Sequence, residues 1–195
     1  MKTLVIGLSL IATFTTAASA ESAWEGSYAG ASFATFSGEN TYDNFDGPLG
    51  LDLEGEMFGG FAGYSTTLNG FILGGEIAVM GGEVFEEGYK GEYEFTSIVD
   101  LKARAGYDAG QFMPYAVIGI AVGNFSVDDA ANPTRDEDIA EAGVLFGAGI
   151  DIATSQQFTV GAEFASRSFD YEFESGLVDM SADATSVTLR GAYKF

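Results

Sequence analysis

The chain has 195 residues, 29 of them acidic and eight basic, with no cysteine and no histidine. Without imidazole or thiol, Ser-His-Asp hydrolysis, His-based zinc sites, disulfides and thiol chemistry are closed to it, so the reading is of a non-enzyme with no cofactor and no metal. The formal net charge of −21 repels nucleic acid and excludes it as a partner.

In chain order, Lys2, the apolar stretch 4–14 and Ala18-Ser19-Ala20 have the layout of a cleavable export signal, so residues 1–20 are set aside from the fold. The apolar stretch is shorter than the roughly 20 residues a membrane-spanning helix needs, and no later run approaches that length. If residues 21–195 cross a bilayer, they do so as a closed barrel, because lipid leaves no other way to satisfy a strand's backbone polar groups.

Alternation of apolar and polar residues marks eight strands, near 26–37, 56–66, 70–81, 94–107, 112–125, 142–153, 157–169 and 183–195. In the fifth, Ala116, Ile118, Ile120 and Val122 form an apolar stripe opposite Tyr115, Val117, Gly119 and Ala121. In the sixth, Val144, Phe146, Ala148, Ile150 and Ile152 oppose Gly147, Gly149 and Asp151. Three connections are tight turns, at Ser65 to Asn69, Asp108 to Gln111 and Thr154 to Gln156. Four segments, near 38–55, 82–93, 126–141 and 170–182, are long and rich in acids, and are expected as loops. Short turns on one rim and long loops on the other are the asymmetry of outer-membrane barrels, whose long loops face outside the cell. The expected fold is all-β, one eight-stranded antiparallel up-and-down transmembrane β-barrel over residues 21–195.

Parity then places a set of charges on the face opposite the apolar stripes: Glu76, Asp100, Lys102, Arg104, Asp151, Glu163 and Arg190. Facing lipid at mid-bilayer would cost about 2–4 kcal/mol for Arg or Lys. An eight-stranded lumen is only wide enough for side chains to fill, so these groups are expected to pair as a structural plug, with Arg104 between Glu76 and Asp151 or Glu163. The last strand carries Val187, Leu189, Tyr193 and Phe195 on one parity, an apolar C-terminal signature expected to engage the barrel-assembly machinery.

The motifs Phe58-Gly59-Gly60-Phe61-Ala62-Gly63-Tyr64, Gly74-Gly75-Glu76-Ile77, Lys102-Ala103-Arg104-Ala105-Gly106-Tyr107 and Ala148-Gly149-Ile150-Asp151 resemble the transmembrane domain of OmpA-type proteins. Trp24-Glu25-Gly26-Ser27-Tyr28-Ala29-Gly30 is similar to the opening of opacity-type, porin-like barrels. The resemblance implies a cell outer membrane location and an interior acid/base cluster at Glu76, Arg104, Asp151 and Glu163. Two interior arginines of that pattern fall on Val117 and Gly161 here, with Lys102 and Arg190 available to compensate. No peptidoglycan-binding domain is expected, since the sequence stops at the last strand.

The function expected is that of an integral outer-membrane barrel with a structural or surface-interaction role, surrounded by membrane lipid and lipopolysaccharide, and monomeric. One alternative is a minor pore for ions or small solutes. Another is a soluble lipocalin-like ligand-binding barrel, which requires the opposite sidedness. Asp43-Asn44-Phe45-Asp46-Gly47 and Asp136-Glu137-Asp138 offer oxygen ligands of the type Ca²⁺ prefers, but neither has the spacing of an EF-hand loop, so solvated acidic loops are expected there.

Overall fold

A computed structural model describes residues 23–44, 47–86, 93–127, 137–172 and 179–195; the expected export signal lies outside them. Eight strands follow one another: β1 (Gly26–Asn44), β2 (Gly47–Leu68), β3 (Phe71–Glu86), β4 (Tyr93–Tyr107), β5 (Phe112–Val127), β6 (Glu137–Ala153), β7 (Phe158–Glu172) and β8 (Asp179–Lys194). Each pairs antiparallel with its neighbours, and β8 returns to β1 to close a barrel. Closure is extensive, running from Tyr28 opposite Lys194 to Asp43 opposite Asp179.

Chain reversals at one rim are short. Between β2 and β3 they comprise Asn69 and Gly70, with φ of 52° and 84°. This is the left-handed pair that a two-residue hairpin requires, and Asn-Gly is the dipeptide that adopts it at least cost. The turn therefore sits at the end of the Ser65–Asn69 segment singled out in the sequence, because Thr66, Thr67 and Leu68 continue the ladder opposite Leu73, Ile72 and Phe71.

At the other rim the structure corrects the expected loops. Segment 38–55 is not a loop: β1 and β2 run on as a hairpin to Asn44 and Gly47. Strands likewise extend to Glu86, Val127 and Glu172 and resume at Glu137 and Asp179, shortening the other three connections. Of the acids in those segments, Glu39, Asp52, Glu54, Glu56, Glu83, Asp170 and Asp183 occupy exposed, outward positions on these extensions, while Phe36, Leu53 and Met57 on the opposite parity are buried. Alternation persists, but its sense is reversed.

The barrel thus has two zones. Near the short turns its outer surface is apolar, with Phe58, Leu101, Ile118, Val144 and Leu189 all among the most exposed residues. On β3 this band runs from Phe71 to Val79 and ends below Glu83; on β2 it runs from Leu68 to Phe58 and ends below Glu56. Spans of this length match the hydrocarbon thickness that tilted strands cover in about 9–11 residues. Beyond the band the outer surface carries Glu39, Asp52, Glu54, Glu56, Glu83 and Asp183, all exposed. There the interior is apolar instead: Val84, Phe95, Ile98, Phe125, Leu145 and Phe169 pack with Phe36, Leu53 and Met57. The Phe95 ring lies 5.1 Å from Phe125 and 5.8 Å from Phe169, centroid to centroid. A bulge at Thr96, where register shifts between Phe95 and Ser97, turns Phe95 inward although Ile98 is also inward.

Sidedness of this kind is opposite to that of a soluble lipocalin-like barrel and removes that alternative for the apolar-banded half. Expected outcome: Ile118→Arg, in the apolar band, lowers the stability of the barrel refolded into lipid vesicles by about 2–4 kcal/mol. Glu54→Gln, in the acidic zone, changes it by less than about 0.5 kcal/mol. Urea-dependent unfolding from vesicles measures both.

Candidate functional site

Within the apolar-banded zone the inward positions include a cluster of charged side chains. Every one of the seven charges selected by parity is buried in the lumen: Glu76 on β3, Asp100, Lys102 and Arg104 on β4, Asp151 on β6, Glu163 on β7 and Arg190 on β8. Glu76, 2 % exposed, is the centre. Its carboxylate meets Lys102 Nζ at 2.7 Å and Arg104 Nη1 at 3.2 Å, and accepts from Arg190 Nη1 at 3.2 Å and from Arg190 Nη2. The Tyr28 hydroxyl donates to it at 3.0 Å. Glu163 faces it across the lumen and takes Lys102 Nζ at 2.9 Å, Arg190 Nη1 at 3.1 Å and the Tyr115 hydroxyl at 3.1 Å. Arg104 bridges Glu76 and Asp151, its Nη2 lying 2.7 Å from Asp151 Oδ2. Asp151 Oδ1 is 3.6 Å from Arg190 Nε.

Sequence reasoning missed one charge. Arg167 on β7, 1 % exposed, shares the parity of Glu163 and could have been found by extending the same rule four residues. It forms a bidentate pair with Asp100, with Nε 3.1 Å from Oδ1 and Nη2 2.6 Å from Oδ2, and donates to Ser186 Oγ at 2.8 Å. This pair stands apart from the group around Glu76 and adjoins the apolar interior, with the Arg167 guanidinium 5.3 Å from the Phe36 ring. With Arg167 counted, four buried acids face four buried bases among the described residues, and their charges cancel. Neutrality matters because a residual charge in a site without bulk water would cost several kcal/mol.

Aromatic rings complete the packing. The Arg104 guanidinium stacks 3.9 Å from the Tyr115 ring centre and that of Arg190 lies 4.1 Å from Phe61. Room for these groups comes from glycine on the facing strands. A Cβ on Gly149 would lie 2.4 Å from the Tyr115 hydroxyl, and one on Gly161 would lie 2.1 Å from Asp151 Oδ1. Gly161, where the OmpA-type pattern has an arginine, instead makes space for the aspartate directly opposite it in register. The void left among Glu76, Asp100, Lys102, Glu163, Arg167 and Arg190 is about 10 Å³, at the lower limit for one water.

Val187 and Leu189 on β8, and Phe195 immediately after it, are exposed on the outer surface, and Tyr193 is half-buried beside them. Its ring packs edge-on against both Phe158 and Phe195, at 5.0 and 5.3 Å. The side chains of Asp43, Asp46, Asp136, Glu137 and Asp138, weighed as cation ligands, lie outside the described residues; among the described residues no group of acids is arranged to hold a metal ion.

A closed barrel with an apolar waist and an ion-paired interior defines an integral membrane protein of the outer-membrane type. The chain belongs to the family described as the outer membrane protein β-barrel domain, which it matches over residues 6–195. It is 30 % identical over 179 residues to a 22 kDa outer membrane protein of Rhizobium leguminosarum bv. viciae, spanning 88 % of this chain and 78 % of that one. The fold is similar to solved barrels at low identity. Against Neisserial surface protein A the TM-score is 0.54 at 16 % identity, covering 88 % of this chain and 98 % of that one. Against OprG of Pseudomonas aeruginosa it is 0.55 at 14 %, covering 89 % and 98 %. The protein is therefore an outer-membrane barrel.

Expected outcome for the network: Arg167→Met alone, which strands Asp100 in the lumen, destabilises the barrel by about 3–5 kcal/mol. The double variant Asp100→Leu with Arg167→Met restores most of that loss, because the pair is replaced by packed apolar groups. Urea unfolding of the two singles and the double gives the coupling energy.

Proposed function

We propose that this protein is a structural, non-catalytic and non-conducting barrel of the outer membrane, monomeric in the bilayer, whose projecting acidic zone makes its surface contacts. The observation carrying this reading is the lumen. Eight buried charges pair across it, and the void bounded by six of them, Glu76, Asp100, Lys102, Glu163, Arg167 and Arg190, is of single-water size. An ion entering would have to separate Glu76 from three bases at once, without bulk water to compensate. The minor-pore alternative needs that separation and has no observation in its favour.

Orientation follows from the connections, with the short turns in the periplasm and the extended strands outside the cell. In that sense Glu39, Asp52, Glu54, Glu56, Glu83 and Asp183 stand at or above the outer leaflet. Glu39 lies opposite both Asp52 and Asp183, and Glu56 opposite Glu83. The described basic residues are the four inside the barrel and Lys194 at the other rim. The zone therefore faces lipopolysaccharide and the exterior as an anionic collar. Residues 1–20 serve export, and Val187, Leu189, Tyr193 and Phe195 on β8 present the apolar edge that the assembly machinery reads.

Expected outcome: the protein fractionates with outer membranes and migrates differently when heated and unheated in detergent, and the purified barrel is silent in planar bilayers. Steady conductance steps from the unaltered protein would replace this reading with the pore. Loss of outer-membrane insertion in Phe195→Asp, with the protein accumulating in the periplasm, is expected from the role given to β8.

A further inference from the structure

The residues before β1 do not trail away from the barrel. Trp24 is 5 % exposed and lies in the short-turn mouth of the lumen. Its indole Nε1 donates to the carbonyl of Gly110 at 3.1 Å, in the reversal between β4 and β5. Its own carbonyl accepts from the Ser65 hydroxyl on β2. In a closed order of eight strands β5 stands four places from β1, so this contact reaches from one wall of the mouth to the opposite one.

Behind the indole is a small chamber of about 30 Å³, bounded by Trp24, Tyr28, Met113, Arg104, Asp151 and Arg190, roughly the room needed for one or two waters. Two buried polar atoms in its wall have no hydrogen-bond partner, the Nε–H of Arg104 and the Oδ1 of Asp151. The first can only donate and the second can only accept. A ligand serving both must accept and donate in a space this small, which is the description of water; a bare anion has no proton to donate to Asp151 Oδ1, and a bare cation has no lone pair to accept from Arg104 Nε.

We propose that Trp24 is the lid of a hydrated chamber on the periplasmic side, separating the buried charge network from bulk solvent, with water bridging Arg104 Nε and Asp151 Oδ1. This lid is a second seal, distinct from the ion-paired plug above it. Opening it wets Arg104 and Asp151 without creating a channel, so the two seals fail separately.

Two features of the chain make the test direct. Trp24 is the single tryptophan, and there is no cysteine. In the unaltered protein, folded in detergent or vesicles, Trp24 emission is expected to be blue-shifted and weakly quenched by acrylamide. Met113→Cys places one thiol in the chamber wall. It is expected to react slowly with a small charged methanethiosulfonate while Trp24 is present, and about tenfold or more faster when Trp24→Ala is added, as local protection is lost. Trp24→Phe, which keeps the ring but not the Nε1–H, is expected between the two. Planar-bilayer recordings of Trp24→Ala stay silent, since the plug is intact. A crystal structure is expected to place ordered water between Arg104 Nε and Asp151 Oδ1. The lid is overturned if Trp24 emission in the folded protein resembles that of the unfolded chain, or if Met113→Cys reacts equally fast with and without the indole. If Trp24→Ala does not fold, as judged by heat-dependent migration, the fluorescence of the unaltered chain and the Trp24→Phe comparison still decide.

Discussion

Hydrocarbon offers a strand no partner for its N–H and C=O groups, and this constraint organises everything else in the molecule. It forces the last strand back onto the first, so that β8 covers β1 over nearly its whole length. It also dictates which side chains go where. Once the sheet closes, alternation leaves one set of residues against acyl chains and the other in a lumen too narrow for bulk water. Ionised groups are excluded from the first place and tolerated in the second only if each finds its counter-charge. Glu76 with its three bases, and Asp100 with Arg167, are the result.

The same reasoning explains why the pattern inverts further along the strands. Above the apolar band the outer surface meets water, and the advantage of facing outward passes from Leu and Ile to Asp and Glu. The interior is then free to become an ordinary apolar core, and Phe95, Phe125 and Phe169 fill it. One sheet thus crosses two solvents, and the change of sense falls between Phe58 and Glu56 on β2 and between Val79 and Glu83 on β3. The bulge beside Thr96 lies at this transition and re-aims one strand for the new interior.

Much of this was legible in the sequence, and the parts that were not have physical causes. Strict alternation over Ala116 to Val122 and Val144 to Ile152 fixed both strand identity and sidedness, because each is long and lipid-facing. Segment 38–55 was read as a loop because its acids and glycines suit loops as well as they suit strands in water. Its period of two, with Asn40 and Leu53 buried and Glu39, Asp52 and Glu54 exposed, was present but carried the opposite meaning. Arg167 was overlooked because its outward neighbours are Ser166 and Ser168, which lack the apolar stripe that flags a lipid-facing strand. The contribution of Tyr28 and Tyr115 could not be inferred from parity alone, since it depends on Gly63 clearing space for the Tyr28 hydroxyl and Gly149 for that of Tyr115.

The seam between β1 and β8 has a consequence in time. Tyr28 is matched with Lys194, residues from opposite extremes of the sequence, and loop-closure entropy must be overcome before that match rewards the chain. No subset of strands lacks an exposed edge, so a nascent or shortened chain has no stable intermediate shape of its own in lipid. Such a topology folds late and slowly, after synthesis has ended. Until then its apolar stripes have no sheet to belong to and no lipid to face.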